Sequence, residues 1–223
     1  NIAMMCHTAT DLEGAKIALN GTNNGTVAKT IQFLGRGAHA GGAPHMGINA
    51  LNAASLALMA IHANRETFQD KDTIRVHPII TKGGEAVSAV PADVRMETFV
   101  RGKTIQAILD ANRKVDRAIK AGAMAVGAKV RIKTIPGYMP MEIYPKLGQI
   151  LKANAAAVVG EDNVGQIGHR TGSTDMGDLS QIRPVLHPYV AGATGLGHGA
   201  DYLIQDYELA VLGPAKVMAM TVV

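Results

Sequence analysis

From Thr26 to Gly35 apolar and polar residues alternate, with Val27, Ile31 and Phe33 on one side. That period of two predicts a half-buried strand. From Asn49 to about Asn64 the period lengthens to that of a helix. Leu51, Ala54, Leu58 and Ile61 recur along one stripe, and Asn52 and Ser55 fall off it. Thr73 to Lys82 alternates again with β-branched residues and predicts a strand, which Gly83-Gly84 ends. Ala92 to Arg101 predicts another strand, with Val94, Met96, Thr98 and Val100 on one face. Thr104 to Gly127 reads as a helix through Ile105, Ile108, Leu109, Val115, Ala118, Ile119 and Val126, interrupted by Asn112, and Lys129 to Ile135 as a strand. The order β-α-β-β-α-β predicts a ferredoxin-like split βαβ unit. Two helices would cover one face of a four-stranded antiparallel sheet, leaving the other face and one helix edge for association.

The flanks have a different texture. Ile2 to Ala9 reads as a buried strand, and Asp11 to Gly25 as turn-rich, with Asn20-Gly21 and Asn24-Gly25 as turn signals. After Pro136-Gly137-Tyr138-Met139-Pro140, a helix is expected over Tyr144 to Val159 and a short strand within Asp162 to Gly172. A polar turn (Gly172 to Asp178), a strand (Arg183 to Val190) and a glycine-rich loop (Gly192 to Gly199) follow. The last helix, Tyr207 to Val223, contains Pro214 only with a kink or a restart. The pattern divides the chain into 1–24, 25–138 and 139–223, with the βαββαβ unit inserted into part of an α/β domain.

Composition narrows the function classes. Of 223 residues, 47% are apolar and 18% charged, fewer than the roughly 25% usual for soluble domains; there is no Trp. The core must be built from small and flexible side chains. A net charge of +4 is mild, and Lys and Arg are scattered without aromatic interleaving, so there is no nucleic-acid footprint. No uninterrupted apolar stretch of about 18 residues occurs, so no membrane span is expected. The single cysteine, Cys6, cannot form an internal disulfide and fits a reducing compartment, and no signal peptide is visible; the expected location is cytoplasmic. Both ends look cut, as in the C-terminal portion of a longer protein.

The stretch with most chemistry is Gly35 to Ala50, Gly-Arg-Gly-Ala-His-Ala-Gly-Gly-Ala-Pro-His-Met-Gly-Ile-Asn-Ala. It reads as strand, glycine-rich loop and helix, with Asn49 as cap. His39 lies where small neighbours allow another surface to approach. Eight histidines are spread along the chain, and none forms a compact metal motif. His7 ends a strand beside a polar loop. His198 sits in Gly-Leu-Gly-His-Gly-Ala-Asp before the last helix. A neutral imidazole in either place could bind zinc, although each taken alone is more often structural. His45, His77 and His187 could line a pocket, but structural roles are favoured; the last two are expected on strands and are followed by Pro.

Gly-x-Gly-x-His-Ala-x-x-x-Pro-x-x-Gly-x-Asn-Ala resembles the segment that opens the lid, or dimerisation, domain of the M20 metallopeptidase and amidohydrolase family. Met4 to Ala9, Gly83-Gly84 with Val90-Pro91, Arg101, Gly-Ser-Thr-Asp-Met-Gly-Asp (172–178) and His198 resemble further motifs of the aminobenzoyl-glutamate and aminoacyl-amide hydrolase branch, in order. The resemblance implies that His7 and His198 each ligate one ion of a pair of divalent metals, zinc or manganese. That pair would activate a water against an amide carbonyl. It further implies a homodimer through the lid, in which His39 donates to the oxyanion in the partner's site. Arg101 would hold a substrate carboxylate, and Asp175 would order the loop or the site. The substrate would be a small N-acyl amino acid, dipeptide or aminobenzoyl-glutamate-like amide. Two departures stand out. Ser88 occupies the place of the lid asparagine, thirteen residues before Arg101. The first metal-binding element, the bridging ligand and the Glu-Glu pair would lie upstream of His7, and no Glu-Glu occurs in the chain. The chain alone is therefore expected to bind metal poorly and to be inactive. The alternative is a non-catalytic dimerisation or regulatory module. The central expectation is spatial: His7 and His198 must meet at one cleft.

Overall fold

The computed structural model describes residues 1–19 and 21–222. The Asn20 half of the expected Asn20-Gly21 turn and the last residue of the expected final helix lie outside them. The chain begins with β1 (Ala3–Met4), β2 (His7–Thr8), β3 (Ile17–Leu19) and β4 (Thr22–Asn23). There follow β5 (Gly25–Leu34), α1 (Ala50–Ala63), β6 (Arg75–Val76), β7 (Ile79–Lys82), β8 (Asp93–Gly102), α2 (Ile105–Ala125) and β9 (Lys129–Pro136). The remainder is α3 (Pro145–Val159), β10 (Val164–Gln166), β11 (His169–Arg170), α4 (Met176–Ser180), β12 (Val185–Leu186), β13 (Tyr189–Val190), β14 (Ala193–Thr194), β15 (Leu203–Ile204) and α5 (Gly213–Val222). Two compact units result, Asn24–Tyr138, and Asn1–Asn23 with Met139–Val223. No described helix is long and apolar enough to cross a membrane.

The unit Asn24–Tyr138 is a mixed α/β layer structure. All its strand pairs are antiparallel, in the order β6-β8-β5-β9, with β7 also on β8. The split βαβ topology explains the order, since each helix returns the chain to the opposite side of the sheet. Ile31 and Phe33 of β5 and Val94, Met96 and Val100 of β8 are buried against alanines 50, 53, 54 and 57 of α1 and Ala111, Val115, Ala118 and Ile119 of α2. The small α1 face lets the helices come close. At Gly122 a Cβ would lie 2.5 Å from the Ala53 carbonyl oxygen, so glycine is required at the crossing. The expected Thr73–Lys82 strand is shorter and broken. Thr73 is left-handed (φ 49°), and His77-Pro78 separates β6 from β7, because Pro78 has no N–H for the ladder.

The other unit contains the parallel pairs β1-β12 and β2-β13 and a four-stranded sheet, β10-β3-β13-β2. The expected strand at Ile2–Ala9 is two half-buried pieces, and that at Arg183–Val190 two buried ones. His187-Pro188 lies in the gap, so His77 and His187 are both between strands rather than on them. The backbone still bonds across the gap, Met5 N to Leu186 O at 3.0 Å and His7 N to Pro188 O at 3.1 Å. Leu147, Leu151 and Ala155 of α3 and Val217 of α5 close the core over Ile17, Leu19 and Val190. Pro214 is met by a restart: a π-helical turn, Glu208–Leu212, precedes α5, and Pro214 sits in the first turn, where no N–H is needed.

Candidate functional site

In the unit Asn24–Tyr138, β5 delivers the chain into the His39 loop. Gly35 passes so close to the Ile48 carbonyl that a methyl group would collide with it. Pro44–Met46 forms a 3-10 turn, and Asn49 caps α1 by accepting from Leu51 N at 2.8 Å and Asn52 N at 3.0 Å. Exposed His39 is held by its own loop. Its Nδ1 accepts from the Gly41 and Gly42 amides at 3.2 and 2.9 Å. The proton of a neutral His39 is therefore on Nε2, which is left to donate outward. Ser88 lies beside it: Ala40 N donates to Ser88 O at 2.8 Å, and Val90 N to Ala38 O at 2.9 Å.

Arg101 is at the other end of this sheet. It pairs with Thr26 on β5, whereas the His39 loop leaves from Leu34. Eight residues of strand, about 27 Å, separate the two positions. Its guanidinium lies 5.3 Å from the Phe99 ring centre. The expected lid residues thus divide into His39 with Ser88 at one end and Arg101 at the other. His45 and His77 are exposed and join neither group.

The other unit holds a cavity of about 1060 Å³, lined by His7, His198, His187, Tyr189, Tyr202 and the 166–174 loop. Two imidazoles 191 positions apart therefore share one cavity. His7 Nδ1 lies 2.6 Å from the Thr8 carbonyl, which can only accept, so in a neutral His7 the proton is on Nδ1 and Nε2 has the lone pair. This is the state of a metal ligand or proton acceptor. Thr8 Oγ1 and Tyr202 Oη share a 2.7 Å hydrogen bond beside it. His198 is held in a left-handed turn (φ 66°), rare for a residue with a Cβ. Cys6 adds no nucleophile, because burial pushes its thiol up to about 12.

Ser173 and Thr174 line the cavity, while Asp175 lies at the start of α4 with its carboxylate in no cap. His187, which the pattern assigned a structural role, is 6% exposed and lines the cavity with both ring nitrogens unpartnered. Burial, with His7 nearby, lowers its pKa to about 4, so it is neutral at neutral pH. Its local sequence, an imidazole in a strand gap before Pro, carried no signal of this. Among the described residues no three His, Cys, Asp or Glu side chains gather as a metal site.

Residues 22–126 match the peptidase dimerisation domain of the M20 family. This segment is an M20 dimerisation domain. The chain is 31% identical over 205 residues to the Xaa-Arg dipeptidase of Mus musculus, covering 86% of this chain and 46% of that protein. It is 32% identical over 199 residues to the indole-3-acetyl-aspartic acid hydrolase of Enterobacter agglomerans, covering 85% and 44%. The structure of AtUAH in complex with glyoxylate superposes with a TM-score of 0.82 at 17% identity, over 99% of this chain and 52% of that one. The chain thus spans about half the length of these relatives, and its fold aligns with about half of the AtUAH chain.

Proposed function

We propose that this chain is part of a metal-dependent M20 amidohydrolase that cleaves the amide bond of a small N-acyl amino acid, dipeptide or aminobenzoyl-glutamate-like compound. The observation that carries the reading is the convergence of His7 and His198 on one cavity. A zinc-type site needs three or four ligands, and the residues present do not complete one. His7 and His198 would each ligate one ion of a metal pair, and the remaining ligands would come from sequence beyond this chain. When bound, the metal pair supplies an activated water.

The chain's own residues bind and orient. Nε2–H of His39 donates to the oxygen that gains charge as the amide carbonyl is attacked. The planar fork of Arg101 takes the substrate carboxylate. Their separation by the length of a strand means that one substrate meets His39 of one protomer and Arg101 of the other, which supports a homodimer through the dimerisation domain. Ser88 carries the His39 loop through its backbone carbonyl.

The test compares N-acyl amino acid hydrolysis, with zinc or manganese, by this chain and by a polypeptide extended upstream to the length of its relatives. The extended protein should turn over substrate and the chain alone should not. Activity of the chain alone would refute the incomplete site. An inert extended protein would refute the hydrolase reading and leave a dimerisation module.

A further inference from the structure

The cavity in the unit formed by Asn1–Asn23 and Met139–Val223 has a wall that the proposed reaction does not use. Asn23 is 3% exposed and His187 6% exposed. Asn23 Oδ1, Ser173 Oγ and both nitrogens of His187 are buried without a hydrogen-bond partner, and all three residues line this cavity. Tyr189 joins them: Asn23 Nδ2 donates to Tyr189 Oη at 3.3 Å, and the His187 ring lies 4.8 Å from the Tyr189 ring. Leaving such groups unpaired is costly, so their presence together in the lining of one cavity marks a place where a ligand completes them.

The unpaired set has a definite chemistry. Asn23 Oδ1 can only accept. The hydroxyl of Ser173 and a ring N–H of His187 can donate. None of the three side chains is a carboxylate, ammonium or guanidinium. The nearby charge of Arg170 is engaged, its Nη2 reaching both Asp11 carboxylate oxygens at 3.0 and 2.9 Å. Buried donors and acceptors of this kind suit a neutral planar group with one C=O and one N–H better than an ion, which costs more to desolvate. We propose that Asn23, Ser173 and His187 form a subsite for an amide group of the ligand. The ligand carbonyl accepts from His187 and Ser173, and its N–H donates to Asn23. The subsite rests on the proposed function only in making this the cavity that receives the substrate.

The test is binding to the full chain, without metal, of N-methylbutanamide and the isosteric methyl butanoate, followed by NMR at the His187 ring. Each probe has one carbonyl, and the ester lacks only the N–H. The methylamide should bind about tenfold more tightly, the usual effect of leaving a buried acceptor unpaired. Asn23→Leu should erase that preference. His187→Phe should weaken both ligands by about tenfold, and Ser173→Ala repeats this test if the His187 variant does not fold. Equal binding of amide and ester at the His187 ring overturns the subsite, with ordered water as the partner of these groups, and leaves the hydrolase reading standing. Tighter binding of the carboxylate probe butanoate than of the methylamide also overturns it. If none of the probes moves the His187 resonances, subsite and substrate cavity fall together.

Discussion

Lys29 is the one cation on the buried face of β5, and its environment gives an asymmetric prediction. Its side chain is 0% exposed, and Nζ reaches Asp116 Oδ1 on α2 at 2.6 Å and Thr134 Oγ1 on β9 at 2.7 Å. Asp116 is 28% exposed, so it can be rehydrated where it stands. Asp116→Asn keeps the shape and an acceptor but leaves a buried ammonium without a counter-charge. Breaking a buried pair this way costs about 3–5 kcal/mol, and the retained acceptor places it near 3. Lys29→Met removes the buried charge, fills the volume of the lysine stem and returns Asp116 to water, so its cost should stay below about 1 kcal/mol. Native-state hydrogen exchange at the β5 and β8 amides reads the opening of this unit by itself. Asp116→Asn should lower protection roughly a hundredfold, and Lys29→Met by less than about fivefold. Equal losses in the two variants, or a larger loss in Lys29→Met, would show that the energy lies elsewhere than in desolvation of the ammonium.

Three further outcomes are expected. His39→Ala in the extended enzyme should lower kcat by about a hundredfold while light scattering still reports dimers; wild-type turnover would remove His39 from the reaction. Arg101→Ala should raise KM for carboxylate-bearing substrates with little change in Tm, because the guanidinium makes no protein salt bridge among the described residues and lies only over Phe99; an unchanged KM would reduce Arg101 to a surface charge. The Asp93 carboxyl is held below its ordinary range by the Gln32 hydrogen bond (2.8 Å), and also by Lys82 and Arg95, at 3.2 Å each. Its folded pKa lies below the unfolded value of about 3.9, so its stabilisation is complete above that value and is lost as pH falls through the folded one. The β7 amides should therefore lose exchange protection below about pH 4 and not between pH 5 and 7. Asp93→Asn should abolish the dependence; a dependence that survives the substitution would exclude Asp93 as its source.

The sequence by itself determined the elements of the dimerisation unit. Alternation of period two over Thr26–Gly35 and Ala92–Arg101, and the helical stripes before and after, are local properties, so β5, β8, α1 and α2 lie within a few residues of their expected bounds. The glycines and Asn49 around His39 act within one turn of chain and were equally legible. Prolines 78 and 188 blurred the picture, since each removes one ladder N–H and splits a strand that the apolar pattern made continuous. Only tertiary structure decided that Lys29 is buried, because its partners Asp116 and Thr134 come from two later elements. Only tertiary structure put His7 and His198 on the same cavity, separated Arg101 from His39 by the length of a strand, and turned His187 from a strand residue into an unpartnered group on a cavity wall. Burial and hydrogen-bond partnership are relations between segments far apart in the chain. No periodicity within one segment encodes them.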